Sequence, residues 1–293
     1  MPESRSWTPP SYGDGRSEAV IGRFLAERDD ARLMVATKMG RRADPHVPAA
    51  YTLEAFRGWN DRSRRLLGVD TVDLVQLHCP PTPVFGDDRV YDALDTLVAE
   101  ECIGAYGMSV ETVDQALTAI ARPGVASVQI ILNVFRRKPL EQVLPAAGHQ
   151  GVGIIARVPL ASGLLSGKYD EDTRFGPDDH RSYNRQGEAF DVGETFSGVP
   201  YQVGVAAARE VTTHTPAGVT TAQLALRWVI DQPGVATVIP GARTAEQARA
   251  NAAAAAIDPS PTRWIKHSRS CTTAAFLSTS TPTGDCHGGR ARA

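Results

Sequence analysis

The chain has 293 residues, 31 Lys and Arg against 33 Asp and Glu, a formal charge of -2 and 42% hydrophobic residues, which is the balance of an ordinary globular protein. No dense Lys/Arg block offers an electrostatic footprint for nucleic acid or an anionic membrane. No apolar run nears the roughly 20 residues of a membrane helix, and residues 1–10 lack the apolar core of a signal peptide. A cytoplasmic protein acting on small molecules is expected, with no nucleic-acid or membrane partner and with its oligomeric state open. Cys79, Cys102, Cys271 and Cys286 form no CxxC pair and have no zinc-ligand spacing, so no metal site is expected.

In chain order, helical spacing runs over 17–27, followed by a short apolar strand over 33–37 that ends at Lys38. A helix over 52–67 precedes a strand over 72–77 ending at His78, and a helix over 91–101 precedes a strand over 105–109. Next come a helix over 112–121, a strand over 128–132, a helix over 140–147 and a strand over 153–158 that stops at Pro159. A long polar, Gly- and Asp-rich stretch runs from Ala161 to about Gln202. Helices over 203–211 and 220–230, a strand over 236–239 and an Ala-rich helix from Thr244 complete the pattern.

Six strand–helix steps after Tyr12 demand a parallel sheet, because each crossover returns the chain through a helix. A doubly wound sheet would announce its nucleotide site with a glycine fingerprint after an early strand, and no GxGxxG is present. Polar residues instead close successive strands: Lys38, His78, Ser109, Asn133 and Arg157. In a TIM (β/α)8 barrel those ends converge on one mouth, which favours the barrel.

The segments PSYGDGRSE, VATKMG, VDLVQLHCP, GMSVET, VQIILNVF, VPLASGLLSGKY and VIPGARTAEQARAN follow one another as they do in the aldo-keto reductases. The resemblance covers residues 11–256. It implies a TIM barrel that binds NADPH (NADP) at its C-terminal face and moves a hydride to the carbonyl of a small aldehyde or ketone. It also implies that Tyr12 is the general acid, Lys38 the cation that eases loss of its proton, and His78 the group that orients the carbonyl. Taken singly, a Tyr in a Gly-rich loop reads as an exposed ring, a strand-end Lys as a surface charge and a strand-end His as structural. It is their order and context that give them roles.

Cofactor contacts follow from the same resemblance. Ser109, Gln129 and Asn133 match residues that hold the nicotinamide carboxamide, although Val110 stands where many relatives have Asn after the serine. Arg157 stands where some branches stack an aromatic ring on the nicotinamide, a surface that a planar guanidinium can also provide. Pro159, Leu160, Ser162, Gly163, Leu164 and Lys168 resemble the loop over the pyrophosphate. Ile239 and Gly241 lead into a helix N-terminus suited to an anion, where Arg243 would grip the 2′-phosphate and Gln247 and Asn251 the adenine.

Both ends depart from the family pattern. The family Asp lies five residues before the Tyr, a place taken here by Trp7, and the first strand and helix of the barrel have no counterpart. Residues 1–10 and 257–293 read as aberrant, the latter as a disordered Ser/Thr-rich tail. Codons exist with which 269–276 spells ELYDRRI and 6–10 spells LDTA in a neighbouring frame, both of them expected family text. A frame disruption at each end is therefore expected, and the nucleotide sequence tests it. With the Asp replaced and a strand missing, impaired turnover is expected. The alternatives are a non-catalytic NADPH-binding or regulatory module and an unstable product of a disrupted gene.

Overall fold

The computed structural model describes residues 4–7, 13–28, 33–189 and 192–259, the first of these as backbone. Tyr12, Cys271, Cys286 and the expected tail beyond 259 lie outside the described residues. Contacts divide the chain into two units. Unit 1 comprises Met1–Leu132, Arg137–Arg157 and Val229–Ile239, and unit 2 comprises Asn133–Arg136, Val158–Trp228 and Pro240–Ala293.

Unit 1 is built on seven parallel strands whose sheet order is the chain order: β1 (Ser4–Trp7), β2 (Leu33–Met39), β3 (Leu74–His78), β4 (Tyr106–Ser109), β5 (Val125–Ile131), β6 (Gly153–Arg157) and β7 (Val235–Ile239). Among the described residues this is the (β/α)8 barrel topology with one strand fewer than eight. The crossovers from β1 to β6 carry α1 (Arg16–Ala26), α2 (Leu53–Leu67), α3 (Asp88–Ala99), α4 (Val113–Ile120) and α5 (Val143–Gln150). Among the described residues β1 and β7 each pair on one side.

The core strands read as continuous apolar runs because helices and sheet cover both faces. Val75, Leu77, Met108, Val128, Ile130, Ile154 and Ile155 are all buried, as are Phe56, Leu67, Leu94, Leu97 and Ile120 from the helices. Edge strand β7 has no fully buried residue. Gly22 brings α1 against α2, since a Cβ there would lie 2.4 Å from the Leu66 carbonyl oxygen.

Local chemistry sets the boundaries. Thr52 Oγ1 caps α2 by accepting from Ala55 N at 3.2 Å, and Gly68, at φ 70°, closes it. Thr112 and Gln115 form a capping box at the start of α4. Helix α3 begins at Asp88, earlier than its apolar spacing predicts, because Asp87 caps Arg89 N at 3.1 Å. Helix α5 is displaced from 140–147 because Lys138–Leu140 forms a 3-10 turn first and Gly151 ends the helix. The sequence predicts no element before Tyr12, yet β1 pairs there with β2, Trp7 opposite Ala36.

Unit 2 is helical, with α6 (His180–Tyr183), α7 (Tyr201–Thr213), most of α8 (Thr221–Ile230) and α9 (Ala245–Ala253). The polar stretch over 161–202 holds 3-10 turns at Ala161–Ser166, Val192–Glu194 and Phe196–Gly198 as well as α6. An aromatic cluster of Tyr169, Phe175, Phe196 and Tyr201 holds it together, with Arg181 and Arg185 over the rings. No helix among the described residues is long and apolar enough to cross a membrane.

Candidate active site

Register places the strand-end residues of unit 1 on one face. His78 pairs with Ser109 and Ser109 with Gln129, while Lys38 pairs with Gln76, two residues before His78. Arg157 pairs with Ile131, two residues after Gln129, and with Ile239. Side chains alternate along a strand, so Lys38, Gln76, His78, Ser109, Gln129, Arg157 and Ile239 share one face. Five of the sequence-predicted polar residues are thus brought together at the C-terminal ends of adjacent strands.

Lys38 is 4% exposed. Burial pushes its ammonium down to about 8, the positive charge of Arg157 acts in the same direction, and Cys79 opposes them. Burial, followed by the charges of Lys38, Arg157 and Arg41, holds His78 well below the usual imidazole value, so the ring is neutral at pH 7. A neutral imidazole can donate one hydrogen bond to a carbonyl oxygen without carrying a competing charge.

The Arg157 side chain spans β5. From β6, its Nη2 donates to the carbonyl of Val110, the residue after β4, at 2.9 Å. Ser109 Oγ lies 3.5 Å from Cys79 Sγ. Gln129 is 2% exposed, and among the described residues its Oε1 has no hydrogen-bond partner. A buried carbonyl oxygen left without a donor costs about 1–3 kcal/mol. It is a ready acceptor for an amide N–H.

Sequence reasoning passed over several residues of this region. Glu18 is fully buried and accepts from Thr37 Oγ1 at 2.6 Å, directly beside Lys38 in sequence. Its place in the GDGRSE segment was the signal available. Cys79 adopts φ 46° and turns the chain after His78. Tyr51 OH donates to the Gly40 carbonyl at 3.2 Å and meets His46 Nε2 at 2.9 Å, anchoring the loop after β2.

The remaining candidates lie in unit 2. Asn133 is buried and fully engaged: Oδ1 accepts from Phe135 N at 2.9 Å and Arg136 N at 2.8 Å, while Nδ2 donates to the Val158 carbonyl and Ser197 Oγ, both at 2.9 Å. Those four bonds exhaust an amide side chain. The segment after Arg157 is strongly turned, with Val158 at φ 52°, Ala161 at 49°, Ser162 at 55° and Gly163 at 97°. Pro159 and Leu164 are buried, Leu160 is half-buried and Lys168 is exposed. Ser162 Oγ donates to the Glu194 carbonyl at 2.6 Å. In the 241–251 segment, Gln247 Oε1 accepts from Arg243 N at 2.7 Å and Asn251 Nδ2 donates to the Gly241 carbonyl at 3.1 Å. The Arg243 side chain is exposed beside the capped start of α9.

A family model described as the aldo/keto reductase family matches residues 8–271. Aldo-keto reductase YhdN of Bacillus subtilis is 29% identical over 249 residues, which are 83% of this chain and 72% of that protein. The uncharacterized oxidoreductase Rv2298 of Mycobacterium tuberculosis is 32% identical over 254 residues, 86% of this chain and 72% of its own. Among solved structures, the glycerol dehydrogenase AKR11B4 from Gluconobacter oxydans is similar with a TM-score of 0.71 at 27% identity, covering 98% of this chain and 84% of that one. An aldo-keto reductase from Klebsiella pneumoniae in complex with NADPH has the same fold, with a TM-score of 0.62 at 23% identity over 90% of this chain and 79% of its own.

Proposed function

Because the chain belongs to the aldo/keto reductase family, we propose that it reduces the carbonyl of a small aldehyde or ketone with NADPH, at a rate lowered by Trp7. The observation that carries this reading is the shared face of Lys38, His78, Ser109, Gln129 and Arg157 at the strand ends. The partnerless Gln129 Oε1 suits the nicotinamide carboxamide, whose amide hydrogens would satisfy it. Ser109 would accept or donate beside it, and the guanidinium of Arg157, pinned to Val110, would present a plane to the ring. Asn133 would contact the carboxamide only by giving up one of its four bonds, the Ser197 hydroxyl being the one most easily replaced.

Bound NADPH supplies the hydride. In this assignment the neutral His78 donates to the substrate oxygen and fixes its orientation, and Tyr12 gives that oxygen its proton. The charge on Lys38 favours the phenolate left behind. Pro159, Leu160, Ser162, Gly163, Leu164 and Lys168 would hold the pyrophosphate, in a segment that turns sharply through left-handed conformations at Val158, Ala161, Ser162 and Gly163. Ile239, Gly241, Arg243, Gln247 and Asn251 would hold the 2′-phosphorylated adenosine, consistent with the NADPH carried by the Klebsiella pneumoniae relative.

The backbone at position 7 pairs with Ala36, two residues before Lys38 on the neighbouring strand, and the family resemblance puts an Asp at that position. Without it, Lys38 loses a group that would raise its pKa and fix its position. The purified chain should oxidise NADPH slowly with an aromatic aldehyde, and Trp7→Asp should raise turnover by about 10²-fold, the scale of a well-placed acid–base assembly. Saturable NADPH binding with no turnover in either form would favour the cofactor-binding module. Turnover of the unaltered chain at the rate of the Trp7→Asp form would refute the role given to position 7.

A further inference from the structure

We propose that the substrate carries a carboxylate on the same small molecule as the reacting carbonyl, and that Arg41 receives it. This inference rests on the reductase reading above and names the substrate class of that site. A cavity of about 50 Å³ in unit 1 is bounded by Lys38, His78, Arg41, Arg42, Arg62 and Trp59. Its volume suits a few waters, or the carboxylate end of a small molecule. Among the described residues that line it there are four cationic side chains and no carboxylate.

The nearby acid accounts for only part of that charge. Asp14 takes an ion pair from Arg42 and another from Arg62, at 2.7 Å, so two guanidinium groups share one carboxylate. Hydrogen bonding and charge from Arg42, followed by the charge of Arg62, hold the Asp14 carboxyl below its usual range. Arg41 takes no part in that arrangement, and its Nη1 reaches the Cys79 carbonyl at 3.5 Å. Its charge nonetheless acts on His78, His46 and Tyr51. A planar guanidinium such as that of Arg41, which lines the cavity, can give a carboxylate two parallel hydrogen bonds.

The rest of the cavity agrees with a short, partly apolar molecule. Trp59 offers an indole wall that is held in place by Tyr51 and Phe56, with ring centroids 5.8 Å from each. Arg41 lies three residues after Lys38, a span of at most about 10 Å. A carboxylate bound there would be separated from a carbonyl at Lys38 and His78 by only a few carbons.

The test uses the full chain and two independent measurements. Calorimetric titration with butyrate should show saturable binding, weakened at least tenfold in Arg41→Gln, largely restored in Arg41→Lys and absent with butyramide. Butyrate binding that is absent, or equal in the unaltered chain and Arg41→Gln, overturns the inference whether or not any aldehyde is reduced. In steady-state assays, the kcat/KM ratio of 4-oxobutanoate to its methyl ester should exceed one and fall at least tenfold in Arg41→Gln. A ratio at or below one in the unaltered chain also overturns it. Failure to reduce either aldehyde, with butyrate binding intact, counts against the reductase reading alone.

Discussion

At Lys38 the strand that brings the ammonium to the site also removes it from water, and its value of about 8 lies below the 10.5 of an exposed lysine. Between those values the unfolded chain keeps a proton that the folded chain has released, so stability rises with pH across that window. Below about 8 the full cost of the buried charge is present. Lys38→Met should therefore stabilise the protein at pH 7, by up to about 3 kcal/mol, in urea unfolding, while abolishing carbonyl reduction. A variant less stable than the parent would show that the charge is compensated. In the parent, kcat/KM should fall as pH rises through about 8, and Lys38→Arg should remove that fall because a guanidinium stays charged. His78, already neutral, should add no break near pH 6.5. Lys38 and His78 were legible because a strand end is a readable landmark. Glu18 and Cys79 were not given roles, since what they touch is separated from them along the chain and only the fold brings it near.

The loop after β2 shows what an element requires of its residues. Gly40 sits at φ 93°, and a Cβ there would lie 2.8 Å from the Tyr51 ring, so two constraints coincide at one position. Gly40→Ala should cost about 1–3 kcal/mol in denaturant unfolding and loosen the loop that carries Arg41; an unchanged midpoint would mean that Tyr51 can move aside. Helices α2 and α4 could be read from sequence because Thr52 and the Thr112/Gln115 box state their starts in the residues themselves. Helix α5 was displaced because a 3-10 turn and a helix start share the same short-range spacing, and only the carbonyl chosen by each N–H separates them. Strand β1 escaped notice for a different reason: Ser-Arg-Ser-Trp has no apolar alternation, and its pairing is supplied by β2.

For the sheet as a whole, the decisive fact is that among the described residues it has two ends. Among the described residues β7 pairs with β6 alone, which leaves its other row of backbone groups without a strand partner there, and its side chains are at best half-buried. Such edges template association with other strands. Sedimentation velocity should show mass increasing with protein concentration, and Ala236→Lys on the exposed side of β7 should shift the distribution toward the smallest species. A single species that is independent of concentration would show that the edges are protected. The barrel class was legible from the alternation of strands and helices, and open edges followed from the missing first strand, because closure depends on pairing between the first and last strands. The strict agreement of sheet order with chain order has another consequence, for the route by which the molecule forms. From β2 to β6 each strand meets its neighbour by closing a loop of a few tens of residues, so the ladder can zip from any adjacent pair. Strand β7 must wait while 77 residues between Arg157 and Val235 are gathered in. The added entropy of that longer closure is modest, but it makes β7 the last strand to join and the first to leave.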